Sequence, residues 1–70
     1  MKIECTRQMI KIEMLDQTFQ VIDKSGEEFG SKADWLIEAD CNVLKVEVMG
    51  GYLHITFDGV GKFQIRSGND

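Results

Sequence analysis

His54 and Glu47 are the first residues whose types and spacing could do chemistry together. Gly50-Gly51 separates two alternating stretches, 43–49 and 52–57, and two glycines supply the positive backbone angles of a type I′ turn. The register that follows sets Glu47 across from His54 and Lys45 across from Thr56, and a neighbouring carboxylate orients an imidazole for proton transfer. A proton-transfer pair needs a partner in the reaction. Neither a nucleophile nor oxyanion donors accompany these two in the pattern, so an ordinary polar cross-strand pair on a solvated sheet face outweighs catalysis.

Three other constellations are weaker. Cys5, Cys41 and His54 are ligand types that zinc accepts, but structural zinc sites take four ligands, mostly from close pairs along the chain, and nothing here is paired. Gly59-Val60-Gly61-Lys62 has the tail of a phosphate-binding loop without its leading glycine. Phe63 stands where the hydroxyl residue belongs, and a strand pattern follows where a helix should start. The bases Lys2, Arg7, Lys11, Lys45, Lys62 and Arg66 are dispersed and each is offset by an acid. Lys11, Lys45, Lys62 and Arg66 could gather on one outer sheet face, yet a net charge of −4 argues against a nucleic-acid footprint. The expectation is a noncatalytic chain with no cofactor and no metal.

Strands dominate the elements that must position these residues. Ile10, Ile12 and Met14 share one parity, and a two-residue connection at Asp16-Gln17 sets Met14 beside Phe19 and Ile12 beside Val21 in a first hairpin. Ile3 and Cys5 have the opposite parity, so joining the same core calls for a bend or bulge near Thr6 to Gln8. In the glycine hairpin Val48 falls opposite Leu53, Val46 opposite Ile55 and Leu44 opposite Phe57, an apolar face throughout. A three-residue loop, Gly59-Val60-Gly61, with its last glycine left-handed, returns Phe63 and Ile65 to that face. Ser31 followed by Asp34 has the form of a helix N-cap, and Ala33, Leu36 and Ile37 form a stripe over about two turns, with Asp34 and Glu38 turned to water. The expected plan is β-β-α-β-β-β: a single α+β domain over residues 1–70, with an antiparallel five-stranded sheet and one short helix packed on one face.

Seventy residues bury only about 60% of the unfolded chain's surface, a thin margin that a second subunit would widen. The N-terminal segment is broken by charges, no apolar run approaches the ~20 residues of a membrane span, and the cysteines are sparse. A soluble chain with buried free thiols in a reducing cytoplasm is the expectation.

The charge is the remaining signal. Six acids, Asp23, Glu27, Glu28, Asp34, Glu38 and Asp40, stand against Lys24 and Lys32 in one stretch, while the other fifty-two residues hold six acids and six bases. A concentrated field steers an encounter more strongly than a diffuse one, which points these six residues at a larger basic protein surface, one that normally receives nucleic acid. In size, acidity and plan the chain resembles the small inhibitors and adaptors of bacteriophages and mobile elements, anti-CRISPR proteins and host-enzyme inhibitors among them. That resemblance implies steric and electrostatic occlusion of a host protein or nucleoprotein. The alternative is a homodimeric assembly module: Leu15, Ile22, Met49 and Tyr52 fall on the parity facing away from the expected helix, where an uncovered sheet ought to be polar.

Overall fold

The structure, a computed structural model, describes residues 2–5, 8–59 and 61–68, the side chain of Cys5 excepted. Eight strands form it: β1 (Ile3–Cys5), β2 (Met9–Glu13), β3 (Phe19–Ile22), β4 (Glu28–Phe29), β5 (Trp35–Ala39), β6 (Asn42–Met49), β7 (Tyr52–Asp58) and β8 (Phe63–Ser67). They make two four-stranded sheets, β1-β2-β7-β6 and β4-β3-β5-β8. All pairings are antiparallel except that of β3 with β5. Among the described residues there is no helix, so the plan is an all-β sandwich rather than a five-stranded sheet under a helix.

The segment expected to be helical shows why. Ala33, Trp35, Ile37 and Ala39 also alternate with period two, and in β5 Ile37 and Ala39 are buried. A two-turn helix carries a nucleation cost that few backbone bonds offset. As a strand, the same residues are paired on both sides, by β3 and β8. Asp34 caps no helix; its carboxylate accepts from Thr18 N (3.1 Å) and Thr18 Oγ1 (3.0 Å), fastening the starts of the parallel strands.

The first expected hairpin is also corrected. The turn after Met14 (Gln17 N–H to Met14 C=O, 2.8 Å) sends the chain into the other sheet. Ile12 and Val21 therefore belong to opposite layers of one core instead of lying side by side, and β2 pairs with β1 and β7. Ile3 reaches the Ile12 position without a register shift, because antiparallel partners whose numbers differ in parity share a face; Thr6 and Arg7, where the bend was expected, lie outside the described residues. The glycine hairpin holds from Val48↔Leu53 to Lys45↔Thr56, with Gly50 and Gly51 at φ 59° and 82°. A bulge then makes Val43, not Leu44, the partner of Phe57. The 59–61 connection is a crossover between sheets. Gly59 has φ 75°, whereas a Cβ at Gly61 would lie 2.6 Å from Cys41 Cβ; Val60 lies outside the described residues.

The core lies between the layers: Ile10, Ile12, Val43, Leu53, Ile55 and Phe57 from the first sheet meet Phe19, Val21, Ile37 and Ala39 from the second. Phe57 and Phe63 join the layers edge to face, with ring centres 4.9 Å apart. No helix among the described residues is long and apolar enough to cross a membrane.

Candidate functional site

The six acids meet different fates. Asp23 is buried: Oδ1 accepts from Ser25 N (2.9 Å), Ser25 Oγ (2.6 Å) and Glu27 N (3.0 Å), and Oδ2 from Val43 N (3.4 Å). The Ser25 hydroxyl leads in holding this carboxyl below its ordinary range, with backbone amides adding and burial opposing. Asp34 is taken up by Thr18, and Glu38 pairs with Arg66. Glu27, Glu28, Asp34 and Asp40 are exposed, the first two and the last without a side-chain partner among the described residues.

The fold also dilutes the charge that the linear sequence concentrates. Strand β8 and its approach bring Arg66 to Glu38, and Lys62 beside Asp40, whose N–H donates to the Lys62 carbonyl (2.8 Å). Counted together with Lys62 and Arg66, the segment holds six acids, Asp23, Glu27, Glu28, Asp34, Glu38 and Asp40, against four bases, those two with Lys24 and Lys32, a balance of −2. The described residues of the first sheet and its connections, with Glu4, Glu13, Asp16, Glu47 and Asp58 against Lys2, Lys11 and Lys45, also carry −2. An open hollow of about 600 Å³ beside this region is lined by Lys24 and Lys62 as well as Glu38 and Asp40, and so presents both signs.

The apolar quartet divides between the two outer faces. Met49 and Tyr52 are cross-strand partners on the first sheet, and Leu15 follows Met14, whose N–H donates to the Gly51 carbonyl (3.0 Å), at the same end. Ile22 lies on the second sheet, between Glu28 and Glu38. Leu15 is 67% exposed at φ 50°, a left-handed backbone that asparagine or glycine adopts more readily.

Among the described residues, the chemical candidates do not gather at one place. His54 sits in a solvent-facing row, Glu4, Lys11, His54, Glu47, across all four strands of the first sheet. Lys11 Nζ lies 4.3 Å from the centre of the Tyr52 ring. Cys41 is buried beneath Gly61, and burial, followed by the charges of Asp40 and Asp23, pushes its thiol pKa up, away from the reactive thiolate. Among the described residues no group of three or more His, Cys, Asp or Glu is placed to hold a metal ion. Lys11 and Lys45 share the first sheet's outer face, but Lys62 and Arg66 belong to the second sheet's side of the molecule.

One feature that the sequence reading missed is the free side of β6. This strand is eight residues long and ends its sheet. Its start is covered, since Val43 N–H donates to Asp23 and the Cys41 carbonyl accepts from Lys24 N–H (3.0 Å). Beyond the bulge, no strand among the described residues lies beside 45–49 on the side away from β7. Leu44, Val48 and Met49 are 63%, 60% and 49% exposed, three of the five large apolar residues left to solvent among the described residues. The other edge strands are β1 with three residues, β4 with two, and β8 with five, which matches the open part of β6 in length but has Arg66 held by Glu38. The apolar parity of 44, 46 and 48 was visible in the sequence, but which of those residues stay uncovered depends on strand order.

Comparison with protein-family models, with curated proteins and with solved structures found no match.

Proposed function

We propose that this chain is a noncatalytic protein-binding module that docks a partner strand along the free edge of β6. The observation that carries the reading is the combination of length and exposure: an edge of this size with apolar side chains is a template for strand addition, and globular proteins ordinarily blunt such edges. Here the blunting is partial. The bulge at Leu44 bends the start of the strand, and Lys45 and Glu47 add one charge of each sign, which leaves no net repulsion toward an incoming strand. Backbone hydrogen bonds would supply affinity, while Leu44, Val48 and Met49 select what lies opposite.

Occlusion of a basic surface by acids is the competing reading, for which Glu27, Glu28 and Asp40 are exposed without a side-chain partner among the described residues and Asp34 is exposed beside Thr18. The test compares partners captured from source cells by the parent, by a Leu44→Lys/Val48→Lys variant and by a Glu27→Gln/Glu28→Gln/Asp40→Asn variant, each checked for a parent-like thermal melt. Loss of the parent's specific partner with the edge variant alone is the expected result. Loss with the acid variant alone overturns the edge reading in favour of the acidic surface.

A further inference from the structure

Resting on the edge reading, we infer that the strand added to β6 is β6 of a second copy, antiparallel about a two-fold axis at Val46, which joins two first sheets into one eight-stranded sheet. Charge and register select this arrangement. A two-fold axis perpendicular to the sheet keeps both cores on the same side, so residues facing each other across the junction must share a face. Centring on Lys45 sets Lys45 against its own copy, and centring on Glu47 sets Glu47 against its own copy; like charges directly opposite are destabilising. Centring on Val46 sets Lys45 against Glu47 of the second copy, twice by symmetry. The same register brings Val48 against Leu44 of the second copy, covering the two most exposed apolar residues of the strand.

Within one chain Lys45 Nζ already lies 3.4 Å from Glu47 Oε2 on the outer face. The two residues can exchange this contact for the matching one across the junction without moving to another face. Centred on Val46, the pairing runs from 44 to 48: it begins at the bulge residue Leu44 and stops short of Val43, whose N–H donates to Asp23. A short edge lies at the small end of specific interfaces, so the dimer is expected to form with rising concentration and not to be obligate.

Sedimentation velocity from low to high micromolar protein tests this with charge exchange. The parent should pass from monomer to dimer. Lys45→Glu alone and Glu47→Lys alone each turn two attractive pairs into two repulsive ones, and each should weaken dimerisation by about tenfold or more. Mixing the two variants sets two acids on one strand against two bases on the other, so the mixture should dimerise like the parent. The double variant Lys45→Glu/Glu47→Lys should do so alone. Recovery in the mixture also excludes misfolding of either single variant. A parent that stays monomeric, or a dimer indifferent to both single changes, overturns the inference. If the parent is monomeric yet Leu44→Lys/Val48→Lys abolishes capture of a different protein, self-pairing fails while the edge reading stands.

Discussion

The two sheets share a core but are joined differently. The first is assembled from two hairpins brought together through β2 and β7, and its long outer strand is left open. The second has one short hairpin, β3–β4, then pairs β3 in parallel with β5 and β5 with the late strand β8. Its junctions are fastened by polar groups: Asp34 to Thr18, Asp23 to its own turn and to Val43, and Arg66 to Glu38. Between residues 23 and 40 the chain reverses direction and crosses over β3, and three of its six carboxylates, Asp23, Asp34 and Glu38, help to hold it there.

If one core serves both sheets, removing volume from either should unfold both. Ile37→Ala and Ile55→Ala, at 1% and 0% exposure, should each cost about 2–5 kcal/mol in a denaturant titration. Loss of one cooperative transition with a second retained would show that the sheets are separate units.

The connections give a smaller effect. Gly61→Ala drives a methyl group into Cys41, and Gly51→Val forces a β-branched residue to φ 82°. Each should cost about 1–3 kcal/mol, the first by overpacking between sheets and the second by backbone strain within one. Parent-like denaturant midpoints for Gly51→Val would remove the turn assignment on which the β6 register depends.

Asp23, whose carboxylate reaches from the turn after β3 to Val43 of β6, makes this join between the sheets sensitive to pH. Its folded pKa is depressed, so its contribution is fully present above the ordinary carboxylate value and is lost as pH falls toward the folded value. Asp23→Asn should lower the melting temperature near neutrality and flatten the decline on acidification. Parallel declines for parent and variant would mean that the acid sensitivity arises elsewhere.

What was legible follows the same division. The glycine hairpin was readable because turn and alternation lie within about fifteen residues of chain, and cross-strand pairs from Val48↔Leu53 to Lys45↔Thr56 occur as expected. The bulge at Leu44 was not readable, since the alternation continues straight through it. Trp35–Ala39 satisfies helical and strand spacing together, and only pairing to β3 and β8, far away in sequence, decides between them. The edge site failed for a related reason: Leu44 and Val48 have the parity of core residues, and their exposure depends on the second sheet's reach. The bases beside the acidic segment were not readable either, because Lys62 and Arg66 return to it only through the fold.

The smallest effect concerns Leu15, where the first sheet's chain leaves for the second. An L-residue with a bulky side chain at φ 50° carries a penalty that asparagine largely avoids, and Leu15 at 67% exposure buries little in return. Leu15→Asn should therefore raise stability by about 1 kcal/mol, seen as a higher denaturant midpoint at unchanged slope. Because Leu15 lies beyond β2, two strands in from the β6 edge, the same change should leave the concentration dependence of sedimentation unaltered. A gain in stability accompanied by loss of the dimer would move the docking surface from the edge of β6 to the glycine-turn end of the first sheet, where Leu15, Met49 and Tyr52 stand together.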